Sequence, residues 1–141
     1  MLQRSQSIWL LLAAVCGFLT LKFPFFSGHK LNSTIPVEYL SALGSSIGNI
    51  IILILTVAIS VAALISIFLY KNRKLQLRIV VISLIVSLLT IFLYYRETKN
   101  FVDGTYSFTA ILSLIIPIFL LLAARGIYKD EKLVKSMDRL R

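Results

Sequence analysis

The sequence contains one cysteine and one histidine among 141 residues, and only 15% of its residues are charged. A single cysteine excludes an intrachain disulfide framework, a cysteine-based zinc cage and two-thiol redox chemistry. Soluble domains carry about 25% charged and ~45–50% apolar residues, whereas 58% of this chain is hydrophobic. The composition therefore excludes an ordinary water-soluble enzyme and indicates a protein whose solvent is lipid.

Four apolar runs are long enough to cross a membrane, for which a helix needs roughly 17–25 mainly apolar residues. The last three runs contain no charged residue and no histidine. The first follows Arg4 as a secretory signal would, but Val15 is too bulky to precede a lipid-modified Cys16, and no exported domain follows. A retained first helix is therefore favoured. The predicted spans are residues 8–26, 47–70, 79–95 and 108–124.

These runs predict an all-α, polytopic membrane protein: a single domain over residues 1–141 with four transmembrane helices in a bundle. Of the 15 Lys and Arg residues, all but Lys22, Lys30, Arg96 and Lys99 lie in the N-terminal segment, in the loop 71–78 or after residue 124. The positive-inside rule therefore predicts that this loop and both termini are cytoplasmic. The net charge of +9 is interpreted as an orientation signal, and no nucleic-acid partner is expected.

Small and hydroxylated residues recur at helical spacing within the spans. Such rows let helix backbones approach each other in lipid, where apolar burial does not drive association. Packing faces inside a bundle are the favoured interpretation. A polar pathway is the alternative, but it would normally need an intramembrane acid or base, and only Asn49 stands out. The rows are Thr56, Ser60 and Ala63; Ser83, Ser87 and Thr90; and Thr109, Ser113 and Pro117.

The tail after residue 124 is basic and has a narrow apolar row, which predicts an amphipathic cytoplasmic helix. Such a helix can lie on the anionic inner leaflet, dock on a protein, or extend the fourth span into solvent. The residues proposed to contact a partner or the membrane surface are Arg73, Lys74 and Arg78 in the loop, and Lys129, Lys132, Leu133, Lys135, Met137, Arg139, Leu140 and Arg141 in the tail.

The two connections on the other side of the membrane have their own signals. Residues 36–43 combine a proline and an acid with Leu40 and Leu43 three apart, which predicts a brief interfacial helix. Residues 101–106 place Asp103 and Gly104 between β-favouring pairs, which predicts a small hairpin.

Three segments have a distinctive sequence: the opening residues 1–14, the loop 72–78 (NRKLQLR) and the ending 129–141 (KDEKLVKSMDRLR). With them the chain resembles an uncharacterised family of four-pass inner-membrane proteins from Bacteroidota, a domain of unknown function with the number four-two-nine-three. The resemblance implies four helices in a Gram-negative inner membrane. It implies no activity, so no catalytic role is transferred.

No catalytic constellation, nucleotide motif or metal-ligand pattern is visible, so we expect a non-enzymatic protein without cofactor, metal or catalytic residues. The favoured function is an accessory or scaffold subunit that docks on a partner in the inner membrane or at its cytoplasmic face. The alternative is a small oligomeric transporter or channel subunit, although four-helix exporters use a glutamate in the first helix, which residues 8–26 lack. A membrane enzyme acting on lipid or quinone would need a nucleophile with a base, which the sequence does not show.

Overall fold

A computed structural model describes residues 3–30, 38–40, 47–99, 101–107 and 110–138. Within these residues the chain forms four α-helices and three short strands, which confirms the predicted all-α class and the four-helix bundle. The helices are α1 (Gln3–Lys22), α2 (Ile47–Phe68), α3 (Arg73–Thr98) and α4 (Ala110–Asp138), and the strands are β1 (Phe26–Lys30), β2 (Glu38–Leu40) and β3 (Phe101–Tyr106).

The helices form a ring in which α1 and α3 each pack against α2 and α4. The strands lie in the connections after α1, before α2 and between α3 and α4, and they form one antiparallel sheet in the order β2-β1-β3. One end of each helix therefore meets this sheet, and we call that end of the bundle the sheet end. At the opposite end, a single turn of 3-10 helix (Leu69–Lys71) and Asn72 join α2 to α3.

The bundle is apolar on the outside. Ile54, Ile82, Phe92 and Ile118 are each more than half exposed. Such an exterior is unfavourable in water and suited to hydrocarbon. Three helices contain stretches long and apolar enough to cross a membrane, whereas the apolar part of α1 is shorter; the three stretches are Ile50–Phe68, Arg73–Thr98 and Ala110–Val134.

Buried residues recur along each helix at alternating intervals of four and three, and we call these rows the seams. A 3.5-residue period is that of helices packed knobs-into-holes around one another. Every seam contains buried polar residues as well as apolar ones. The seams are Gln6, Leu10, Ala13, Gly17 and Thr20; Ile52, Thr56, Ile59, Ala63 and Ser66; Gln76, Val80, Ser83, Ser87, Thr90 and Tyr94; and Ser113, Ile116, Leu120, Ala123, Ile127 and Asp130.

The described hydroxyl residues of the predicted rows and Ala63 are therefore buried in the bundle, whereas Pro117 is half-buried and lies beside the α4 seam. Asn49 and Thr109 lie outside the residues whose side chains are described. The interior hydroxyls donate to carbonyls of their own helix, as Thr56 does to Ile52 at 2.7 Å and Thr90 to Val86 at 2.9 Å. The enclosed space that these two residues help to line measures about 10 Å³, room for a single water molecule at most. The geometry favours packing over a polar pathway.

The predicted hairpin over residues 101–106 is wrong. These residues form the single strand β3, which pairs with β1 through Phe26 opposite Tyr106 and Gly28 opposite Gly104. Gly104 serves close approach rather than a turn, because a Cβ there would collide with the Phe26 ring and lie 2.5 Å from the carbonyl oxygen of Ser27.

The predicted interfacial helix over residues 36–43 is also wrong where it is described. Glu38–Leu40 form β2 on the other edge of β1, with Phe26 opposite Leu40. β1 leaves an edge of unpaired backbone groups, and pairing with a strand satisfies them where a helix could not. The rest of that prediction lies outside the described residues.

The helix bounds also differ from the predicted spans, and two of the differences move residues into another element. α1 ends at Lys22, so Phe26, the last residue of the first predicted span, belongs to β1. α3 begins at Arg73, so most of the predicted basic loop 71–78 forms the first turns of a helix.

A substitution at Gly17 tests the close approach of α1 and α2. A Cβ at this position would overlap the Ser60 hydroxyl oxygen. We expect Gly17→Ala to lower the free energy of unfolding in detergent by ~1–3 kcal/mol, the usual cost of overpacking. Adding Ser60→Ala should restore most of the loss, because it removes the overlapping oxygen. Thermal unfolding of the single and double variants, with Ser60→Ala alone as the control, measures both effects. A Gly17→Ala variant as stable as the parent would contradict this packing.

Candidate functional site at the basic end

A buried polar pair closes the bundle at the end opposite the sheet. The side-chain amide of Gln6 on α1 donates to Oδ2 of Asp130 on α4 at 2.5 Å. Gln6 is 5% exposed and Asp130 is 7% exposed. A carboxylate removed from water is costly unless it is hydrogen-bonded, so this contact makes the burial of Asp130 tolerable.

Gly126 makes the approach of α1 to α4 possible. A Cβ at Gly126 would lie 2.8 Å from Cγ of Gln6. Gly126 lies one helical turn before Asp130, so the glycine accommodates the stem of Gln6 while the carboxylate accepts its amide proton. The hydrogen bond between Gln6 and Asp130 therefore also depends on Gly126, which lies one turn before Asp130 on α4.

The other two helices join this cluster through α3. A guanidinium nitrogen of Arg73, Nη1, donates to the backbone carbonyl of Asp130 at 3.0 Å. Gln76, which is 4% exposed, donates its side-chain amide to the backbone carbonyl of Ser66 on α2 at 2.9 Å. These contacts connect α1 to α4, α4 to α3 and α3 to α2. We call the five residues Gln6, Ser66, Arg73, Gln76 and Asp130 the polar cluster.

The predicted contact residues that are described lie on the same parts of α3 and α4 as the polar cluster. Arg73 belongs to it and is half-buried, whereas Lys74 and Arg78 are exposed on α3 and, four residues apart, share one helix face. On α4, the exposed residues are Lys129, Lys132 and Leu133.

The end of the tail is described only in part. Lys135 and Met137 belong to α4, which continues without a break to Asp138, but their side chains are not described. Arg139, Leu140 and Arg141 lie outside the described residues. The predicted surface is therefore defined structurally by the residues from Arg73 to Arg78 and from Lys129 to Leu133.

Sequence reasoning counted Asp130 only as a cytoplasmic charge and overlooked Gln6 and Gln76. The signal that could have found all three is the seam spacing. Extending the four-three pattern of Ala123 and Ile127 reaches Asp130, and extending that of Ala13 and Leu10 backwards reaches Gln6. A polar residue on a seam is predicted to be buried and to need a partner.

The part of the chain that the structure describes contains no group of three or more His, Cys, Asp or Glu residues that could hold a metal ion. Its fold and its polar cluster define a class: a small helical bundle with an apolar exterior, membrane-like in construction. A family model described as "Domain of unknown function (DUF4293)" matches residues 2–140. The chain belongs to this family, as the resemblance predicted. Comparisons with curated proteins and with solved structures found no match.

Substitutions at Asp130 test how much the polar cluster contributes to the free energy of unfolding. Asp130→Ala removes the acceptor and leaves the buried Gln6 amide without a partner, so we expect a loss of about 1–3 kcal/mol in the free energy of unfolding. Asp130→Asn keeps a side-chain oxygen that can accept the same proton, so it should lose less than half as much. Unfolding in detergent, followed by circular dichroism, measures both. Equal losses for the two variants would contradict the hydrogen bond as the reason for the burial of Asp130.

Proposed function

We propose that this chain is a non-enzymatic integral inner-membrane protein with both termini in the cytoplasm, an accessory or scaffold subunit that docks through the basic end of its bundle. The observation that carries the proposal is the polar cluster. It attaches the first turn of α3 to α4 through the Arg73 contact and to α2 through the Gln76 contact. Two basic segments that are far apart in the sequence are thereby held on one framework.

The burial of Asp130 also changes the charge that this surface displays. Asp130 turns inward to Gln6, while its neighbour Lys129 and the following Lys132 are exposed. Together with Lys74 and Arg78 on α3, they leave a surface in which positive charge predominates. Such a surface complements an acidic partner and increases the rate of encounter.

Leu133 adds an apolar contact to the charged surface. It is 52% exposed on α4, one turn after Lys129. Leu133 begins the apolar row that the sequence continues with Met137 and Leu140, and a helix with such a row can dock it in a protein groove. We therefore favour an acidic protein partner with an apolar contact over lipid headgroups alone.

A small oligomeric transporter or channel subunit is the second proposal. Hydroxyl side chains from all four helices, Thr20, Thr56, Ser87 and Ser113, line the space between them, but that space holds a single water molecule at most. Transport by an oligomer would place the pathway between copies of the chain. Native purification distinguishes the two proposals, because a transporter would be isolated as a homo-oligomer without a second stoichiometric subunit.

Neutralising the exposed cations of α4 tests docking. We expect Lys129→Gln with Lys132→Gln to weaken a complex isolated in mild detergent by roughly tenfold, equivalent to about 1.4 kcal/mol, and to lower the salt concentration that dissociates it. The matched control is Lys22→Gln with Arg96→Gln, which removes two exposed cations from the sheet end. A stoichiometric partner that is retained equally by both double variants would contradict docking at the basic end.

The orientation is tested by reporter fusions. A phosphatase that is active only outside the cytoplasm should be inactive when fused after Arg141 and active when inserted after Ser33, because the positive-inside rule places these positions on opposite sides. A reporter active only in the cytoplasm should give the reverse pattern. Strong phosphatase activity after Arg141 would overturn the proposed topology.

A further inference from the structure

An apolar groove of about 470 Å³ lies between α3 and α4 at the sheet end. Ile91 and Tyr95 line it from α3, and Ala110, Ile111 and Leu114 line it from α4. Phe25 and Tyr106 from the sheet region close its upper end. Tyr95, Ile111 and Leu114 are each about half exposed, so the groove faces outward from the bundle.

The groove lies at the level of the apolar stretches. Its α3 residues belong to Arg73–Thr98 and its α4 residues to Ala110–Val134, both of which are long and apolar enough to span a membrane. An apolar space of this size is not filled by water, which needs several polar partners. In a bilayer, the molecule that reaches an outward-facing apolar groove is a lipid with its acyl chain.

The rim of the groove carries positive charge. Lys99 places its Nζ 5.4 Å from the centre of the Tyr95 ring, which itself lines the groove. Arg96, the residue after Tyr95, is exposed, whereas Glu97 is half-buried. A lysine over a tyrosine ring at the end of an apolar helix lies where a lipid headgroup would, and its charge can meet an anionic phosphate.

Ring contacts and one backbone hydrogen bond hold the wall at the sheet side of the groove. The Phe25 ring stacks on Tyr94 with 4.5 Å between ring centres and meets Tyr106 edge-on at 6.0 Å. The backbone N–H of Ser107 donates to the carbonyl of Phe25, the residue before β1, at 3.1 Å. These contacts place an aromatic wall at this end of the groove, which limits how far an acyl chain can enter.

We propose that this groove binds one acyl chain of an anionic glycerophospholipid, with the lipid phosphate against Lys99 and Arg96. The site is at the opposite end of the bundle from the proposed docking surface and is independent of it. The apolar lining selects a hydrocarbon chain, and the cations select the headgroup charge.

The test uses the full-length protein in phosphatidylcholine vesicles that contain a minor share of phosphatidylglycerol. A photoreactive diazirine is placed on the acyl chain of either lipid, and the labelled peptides are identified by mass spectrometry. We expect the phosphatidylglycerol probe to label residues 91–99 and 110–114 in excess of its share in the vesicle. Exposed residues of α2 should be labelled in proportion to that share.

Filling the groove should remove the excess. Ala110→Leu places a larger side chain on its wall and should reduce labelling by both probes, while Ala58→Leu makes the same change at an exposed position of α2 and should not. Because Ala110 is buried, Leu114→Phe provides a second filling variant at an exposed position. Circular dichroism establishes that each variant is folded.

Removing the rim charge should affect only the headgroup preference. Lys99→Gln is expected to lower the preference for phosphatidylglycerol over phosphatidylcholine about fivefold, the equivalent of ~1 kcal/mol for one cation near an anionic headgroup. Lys22→Gln, an exposed cation at the same end on α1, is the matched control. Even labelling of the whole lipid-facing surface, or labelling unchanged by either filling variant, overturns the groove as a site. Equal labelling by both probes overturns the headgroup assignment.

Discussion

Close approach of the helix backbones along the seams is the contact on which the rest of the structure depends. The exterior is apolar, so in a membrane burial of apolar surface would give the helices no reason to associate. Small residues compensate, because Gly17 meets Ser60 across α1 and α2 with no room for a Cβ. Dispersion contacts at short range then stabilise the bundle, and the sheet and the polar cluster can form only because the helix ends are already brought together.

The two ends of the bundle satisfy their polar groups by different chemistry. At the sheet end, backbone groups pair between strands and the rings of Phe25, Tyr94 and Tyr106 pack beneath them. At the basic end, side-chain amides and a guanidinium satisfy a buried carboxylate and backbone carbonyls. The first end carries an outward-facing apolar groove with Lys99 beside it. The second end buries its one seam carboxylate and exposes cations, which suits recognition at a surface in contact with water.

Composition and run length predicted the four helices and their bundle, because a membrane imposes length and apolarity on every spanning segment. Spacing alone predicted that Thr56, Ser60 and Ser83 face the interior. The connections were mispredicted, because the strand pairing of residues 101–106 depends on β1, which is about 75 residues away in sequence, and local turn signals do not include a distant partner. Gln6 and Asp130 were overlooked because both lie outside the predicted spans. Their burial becomes visible only when the seam spacing is extended past the ends of those spans.

α4 is longer than a helix needs to be to cross a membrane. Its 29 residues make a rod of about 43 Å, longer than the ~30 Å of hydrocarbon that it would cross. The same rod begins at the wall of the lipid-facing groove and ends among the exposed cations, with Pro117 as its point of weakest backbone hydrogen bonding. Because Pro117 has no backbone N–H to donate, one carbonyl of the preceding turn lacks its helical partner, and a bend of α4 between the groove and the exposed cations costs least at this residue.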